Sequence, residues 1–392
     1  MSFDHQEACD YHLVWVDSIP AAIPLYVAGR LETTRELRKL GWHVTLVLEG
    51  PSGPRSIRGV DVLCISKPKI YFLGYIAFHL RFLRFITQEW AGIDIILFHP
   101  RSAPWLLPLR FLRQFRGDSR PLLLMDTRDR NVPGRGFKNQ LRMFYDGIVN
   151  YLTNHWADGQ TAITKRMTDL VHIPQKQLWG IWPSGVNLEQ FSPVQTMRKW
   201  PGEGEAIHLI YIGSLLHVRN LLLMCQAVEV ANGKNMKFKF SLYGDGPARA
   251  DLEAFAQQTA GRVNVFAPVP HDQIPEVLAQ AHIGVTSLFS PDEELFKASS
   301  PIKLFEYMAS GLPILATRMA CHTDVIGRGK YVFWVERIDL PAFLATLNLI
   351  WDAKSCLSEM GFHAATASLE WTWIASAKKL KASLEYGLKR HQ

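Results

Sequence analysis

The feature that most constrains this chain is an alternation, run through twice, of short apolar stretches with helical patterns. Residues 11–16 (YHLVWV) read as a strand, 25–40 as a helix closed by Gly41, and 43–48 (HVTLVL) as a second strand. Further strands are expected at 60–65, 93–98 (IDIILF), 121–125 (PLLLM) and the end of 156–163. Parallel strands need crossover connections, so this alternation predicts a parallel sheet wrapped by helices. At 193–206 (PVQTMRKWPGEGEA) the pattern breaks into a polar stretch with two Pro and two Gly, expected to be a linker. The alternation then restarts: strands at 208–212, 237–243, 263–266, 283–287 and from 313, with helices at 221–231, 274–281 and 301–309. Length supports the same division. A chain of 392 residues, 48% hydrophobic and 20% charged, suits two folded domains of about 200 residues each.

The net charge of +7 is unevenly spread. Residues 67–142 hold 14 basic and five acidic residues. Such a field attracts phosphates or anionic lipid. No zinc-finger spacing, RNP-like motif or arginine-rich tail supports nucleic acid as the partner. The five cysteines are scattered and never form a CxxC pair, which argues against a disulfide framework and fits a reducing cytoplasm. The N-terminal MSFDHQEACDYH is polar and acidic, unlike a signal peptide, and no run of 18 apolar residues exists.

In doubly wound sheets, ligands bind beyond the carboxyl ends of the strands. Three such places in the second half carry unusual residues. The first is 300–311, where Ser300 suits an N-cap, Pro301 the first helical position and Gly311 the helix end. Open N–H groups at such a start favour an anion, Lys303 adds a full charge, and Glu306 shares its face. An ordinary capped helix with an exposed Lys/Glu pair explains the spacing equally well. The second is Gly213-Ser214-Leu215, followed by Arg219. The glycine permits close backbone approach and Arg219 could grip phosphate oxygens bidentately. The third, Gly244-Asp245-Gly246-Pro247, is turn chemistry that could also wall a pocket.

Taken together, these three segments, with Pro183-Ser184-Gly185-Val186-Asn187 and Phe191-Ser192-Pro193 before the expected linker, resemble family 4 glycosyltransferases of the GT-B fold. The likeness spans nearly the whole second half and the end of the first. It implies an α/β architecture: two Rossmann-like doubly wound domains facing a cleft, with a C-terminal helix crossing back. The expected domains are 1–195 for the acceptor, 206–372 for the nucleotide sugar and 373–392 as the crossover helix. By resemblance, Arg219 is the residue that grips the diphosphate and Glu306 the carboxylate that holds the ribose. Gly213, Ser214, Gly244, Ser300, Pro301, Ile302 and Leu304 line the nucleotide-sugar site, with Lys303 close by. The family transfers with retention and typically without a metal, so no cofactor is expected beyond the nucleotide sugar itself. Two positions depart from the pattern: Ala298 stands where a sugar-binding Glu is common, and Ser214 where a second basic residue is usual.

In the first half, the 126–133 loop (DTRDRNVP) resembles an acidic and basic loop of the same family. The loop could contact the acceptor, and Asp129 or Asp126 could serve as base for an acceptor hydroxyl; an internally paired salt-bridge loop is the equally weighted alternative. His99 and Arg101 follow another strand, and His99 could touch the transferred sugar. Residues 70–90 and 105–116 are apolar, aromatic and basic. They suit helices lying in a membrane interface, with buried helices bearing snorkelling Arg tips as the alternative. Peripheral membrane contact through 70–116, at the inner face of a membrane and with a lipid-linked or saccharide acceptor, is therefore expected. Two rival readings stay open at this point: a nucleotide-sugar epimerase, and a non-catalytic sugar- or lipid-binding relative.

Overall fold

The computed structural model describes residues 11–68, 70–129, 137–290 and 293–391. It divides into two compact units, residues 1–184 with 373–392, and residues 185–372.

The first unit holds strands β1 (Tyr11–Pro20), β2 (Trp42–Glu49), β3 (Gly53–Ile57), β4 (Val60–Ile65), β5 (Ile95–Phe98), β6 (Leu122–Thr127), β7 (Gly159–Ala162) and β8 (Leu178–Ile181). They form one sheet in the order β3-β4-β2-β1-β5-β6-β7-β8. Every pair is parallel except the β3–β4 hairpin at the edge. Both faces are covered, so the central strands are apolar throughout rather than alternating. On one face Leu13, Trp15, Leu46, Leu97 and Leu124 pack with Val27 and Leu31 of α1 (Pro24–Lys39). On the other, Val14, Val16, Ile96, Phe98 and Met125 pack with helices α2 (Tyr71–Glu89), α3 (Ala103–Arg116) and α4 (Phe137–Trp156).

The closing helix Trp373–Arg390 belongs to this first unit. Its Ala377, Leu380, Leu384 and Leu388, three to four residues apart, join the core beneath α1. Lys381 Nζ donates to the Leu40 carbonyl at 2.9 Å, placing a cation at the negative end of α1.

The second unit holds β9 (Ile207–Ile212), β10 (Phe238–Tyr243), β11 (Val263–Phe266), β12 (Ile283–Val285), β13 (Ile314–Thr317) and β14 (Val332–Val335). Their order is β11-β10-β9-β12-β13-β14, all parallel. Numbered from β9 this is 3-2-1-4-5-6, the Rossmann order, with its switch point between β9 and β12.

Residues 193–206, expected to be a linker, are anchored to the second unit, and the division falls earlier, at Ser184 and Gly185. Arg198 is buried and donates to four main-chain carbonyls: Ala281 at 2.7 Å, Leu278 at 3.0 Å, Ser310 at 2.6 Å and Gly311 at 3.1 Å. Gln195 Nε2 adds a bond to the Ala309 carbonyl at 2.7 Å. These side chains satisfy carbonyls left open at the end of the Ile302–Ala309 helix. Composition suggested a free linker because its polar residues look solvated; here they work as a cap.

Part of the 70–116 segment is also core. Phe78, Phe82 and Ile86 of α2 and Leu106 of α3 are fully buried. Arg113 makes a paired salt bridge to Asp158 at 2.6 and 2.7 Å. Ile70, Leu73, Leu80, Phe111 and Phe115 stay exposed.

Candidate functional site

Two glycine turns build the floor of the site at the β9 end. After β9 the chain turns at Gly213 (φ 142°), and after β10 at Gly244 (φ 157°). A Cβ on Gly244 would lie 1.9 Å from the Gly213 carbonyl oxygen, so only glycine lets these two backbones pass. A Cβ on Gly213 would lie 2.6 Å from Lys303 Nζ and 3.4 Å from an Arg219 terminal nitrogen. The absent side chain therefore opens a space into which both cations reach.

Lys303 sits in the first turn of the Ile302–Ala309 helix. The helix begins at Ile302, with Pro301 at the capping position and no side chain capping it. Ser300 therefore precedes the cap instead of forming it. The far end is a Schellman turn: Leu312 N–H donates to Tyr307 O and Gly311 N–H to Met308 O, both at 2.9 Å, with Gly311 left-handed at φ 68°. Leu304 points into the core and is fully buried, and its N–H already bonds the Pro301 carbonyl at 3.0 Å. The Tyr307 hydroxyl accepts from Ile212 N–H at 2.9 Å and fixes the helix to the end of β9.

The Lys303 stem is partly exposed, yet its Nζ is shut off from solvent and has no hydrogen-bond partner. It lies 3.8 Å from the centre of the Tyr211 ring, a cation–π contact. Arg219 bonds the Tyr211 hydroxyl and the Ser214 carbonyl, the latter at 3.2 Å, while its Nε is buried and unpartnered. Burial pushes the Lys303 pKa well below its ordinary value, the Arg219 charge pushes the same way, and Glu306 opposes both. Two buried basic nitrogens without partners form an unfavourable arrangement unless an anion completes it.

Glu306, expected to face a ribose, is buried and accepts from His271 Nε2 at 2.9 Å. Residue spacing gave no signal for His271, which comes from a turn 35 positions away. His322 was missed for the same reason. Its ring is fully buried, and Nδ1 faces the Thr317 carbonyl at 2.9 Å. A carbonyl only accepts, so Nδ1 carries the proton and Nε2 is a bare acceptor without a partner. Burial, aided by Lys303, holds the ring neutral, with its pKa pushed down to about 4. Ala298 is buried and offers no carboxylate.

In the first unit, the ends of β1, β5 and β6 gather a second polar group. His99 Nε2 meets Asp129 Oδ1 at 3.2 Å, while His99 Nδ1 accepts from the Arg101 N–H at 3.2 Å. The proton of His99 is thereby placed on Nε2, toward Asp129. Burial works to raise the Asp129 pKa, but His99, Arg101 and Arg30 outweigh it and hold the carboxylate below its usual range. Its side chain is 54% exposed, so a ligand can reach it. Asp126 differs: it is buried and accepts from Thr161 Oγ1 at 2.7 Å and Trp182 Nε1 at 3.0 Å, a structural role. Asp17, after the apolar run of β1, pairs with Arg30 at 2.7 Å. Arg130 to Pro133 of the same loop lie outside the described residues.

Residues 206–352 match the family model described as Glycosyl transferases group 1. Residues 206–352, most of the second unit, carry a group 1 glycosyltransferase domain. The sulfoquinovosyl transferase SQD2 of Arabidopsis thaliana is 24% identical over 209 residues, 51% of this chain and 38% of that protein. The chain thus spans less than two thirds of that relative's length. Among solved structures, the catalytic domain of starch synthase IV from Arabidopsis thaliana, bound to ADP and acarbose, superposes with a TM-score of 0.71 at 12% identity, covering 97% of this chain and 99% of that one. HepE of Anabaena, in complex with UDP-glucose, gives 0.70 at 12% identity, covering 95% and 99%. At such identities these likenesses establish the GT-B fold. Within the glycosyltransferase domain, the polar groups of the site lie at the sheet's switch point.

Proposed function

We propose that this chain is a retaining glycosyltransferase moving a sugar from a nucleotide diphosphate to a lipid-linked or polysaccharide acceptor. The observation that carries the reading is the pair of buried, unpartnered nitrogens, Lys303 Nζ and Arg219 Nε, beside the Gly213 turn. A diphosphate supplies the negative oxygens both lack. As the glycosidic bond breaks, charge develops on the leaving phosphate, and fixed cations there favour the transition state over the ground state. This assigns charge neutralisation to Lys303 and Arg219. Glu306, steadied by His271, is assigned to the ribose hydroxyls. HepE, solved with UDP-glucose, makes a UDP-sugar the first nucleotide sugar to try.

The acceptor is assigned to the first unit, where the buried His99 meets the more exposed Asp129. We assign peripheral membrane contact to the exposed residues of 70–116, at the inner face of the membrane. No helix among the described residues is long and apolar enough to cross a membrane.

Incubating the protein with UDP-sugars and an extracted lipid or saccharide acceptor tests the activity, and proton NMR of the product reads the anomeric configuration. Transfer with retention is expected. Isomerised nucleotide sugar without acceptor would mean an epimerase, and binding without transfer a non-catalytic relative. Glu306→Ala is expected to reduce kcat/KM for the nucleotide sugar by about 10- to 100-fold, as loss of a charge-assisted hydrogen bond would. Wild-type turnover in that variant would remove Glu306 from the ribose.

A further inference from the structure

α4 turns an apolar face away from its own core. Val149, Asn150, Thr153 and Trp156 are buried against the sheet, whereas Phe137, Leu141, Phe144, Ile148, Tyr151 and Leu152 are exposed. Phe137 is 78% exposed and Phe144 67%. At about 100° per residue these six positions fall within a stripe roughly 100° wide, opposite the buried face. Neighbouring α3, which packs beside α4, adds Phe111 and Phe115, the latter 91% exposed. Scattered exposed apolar residues are ordinary; a continuous aromatic stripe over four turns is not.

Charge selects the occupant. On α3 and α4, Arg116 and Arg142 are exposed and Arg110 is half-buried, Arg113 being taken up by Asp158, and the two helices hold a single acidic residue, Asp146. An apolar, aromatic face on such a cationic pair of helices matches an anionic lipid surface, where rings enter the headgroup–acyl boundary and cations meet phosphates. No described helix is long and apolar enough to cross a membrane, so the match is to the surface of a bilayer.

We propose that α4, flanked by the C-terminal half of α3, docks the chain on an anionic bilayer. The inference rests on the membrane contact proposed above and moves its centre from 70–116 to 137–152. It stands apart from the nucleotide chemistry.

Flotation with vesicles of phosphatidylcholine containing about 30 mol% phosphatidylglycerol, against phosphatidylcholine alone, tests it. The full chain should float with the anionic vesicles, less so at high salt. Phe137→Ser/Phe144→Ser/Tyr151→Ser should lower partitioning at least about tenfold, since all three rings are exposed and leave the core intact. UDP affinity, read by calorimetry, should stay unchanged in this variant. Leu73→Ser/Leu80→Ser on α2 should lower partitioning clearly less than the α4 substitutions do. Loss in the α2 variant alone would leave membrane contact at 70–116 and overturn the α4 assignment. A wild-type chain that binds UDP but ignores both vesicles would overturn membrane docking while sparing the nucleotide site. A wild-type dimer, turned monomeric by the α4 substitutions and indifferent to vesicles, would make this face a contact between two copies.

Discussion

Lys303 is the residue on which the proposed chemistry turns. Its ammonium faces an aromatic ring and another cation, with no carboxylate or carbonyl in bonding reach. Burial and Arg219 favour the neutral amine in the empty site; a diphosphate reverses that balance. Ligand binding should therefore take up a proton. Calorimetric titration of UDP in two buffers of different ionisation enthalpy reads the uptake directly. Uptake should grow as pH rises through the lowered Lys303 pKa and vanish below it, where the amine is already charged. Identical heats in both buffers across that range would contradict the assignment. His322 shows a second consequence of burial at this scale: a neutral ring whose tautomer is fixed by one carbonyl, leaving a bare acceptor.

At the scale of elements, the Ile302–Ala309 helix is held at its middle and its C-terminal end by devices drawn from distant sequence. Tyr307 ties its middle to β9, and Arg198 and Gln195 cover its C-terminal carbonyls. Arg198→Met keeps the volume but leaves four buried carbonyl contacts unmade. It is expected to cost about 2–4 kcal/mol, read as a lower denaturant midpoint with an unchanged m-value. A change under about 0.5 kcal/mol would show that solvent replaces the cap. Most strands were legible because strands buried on both faces are uninterrupted apolar runs, as at β5 and β6. β3 was not, since GPRSI is polar edge sequence held by a hairpin, and the edge strands β8 and β14 were missed as well. The site was half legible. Lys303, Arg219 and Gly213 announce themselves by residue type beyond strand ends. His271 and His322 carry no local signal, because only the folded sheet brings them to the helix.

For the whole molecule, two histidines link stability to pH in both units. His79, in the first, and His322, in the second, are fully buried with pKa values pushed down to about 4, chiefly by burial. Unfolding restores them to near 6.5. Between those values the unfolded chain binds more protons, so their contribution is complete above pH 6.5 and is lost as pH falls toward 4. Each adds a slope of up to about 1.4 kcal/mol per pH unit in that window. Thermal unfolding at pH 7 and pH 5 should show a clear drop in Tm, and His79→Phe or His322→Phe should shrink it. An equal drop in those variants would place the sensitivity elsewhere.

The central claim is that Lys303 and Arg219 form the diphosphate socket. Calorimetric titration of UDP into the wild type and Lys303→Met tests it most directly. The account predicts saturable binding in the wild type and an affinity lower by about 10- to 100-fold in the variant, the measure of one charge-assisted contact. Thermal stability should be unchanged or higher, because an unpaired buried amine has been replaced by an apolar chain. Equal UDP affinity in the two proteins would contradict it.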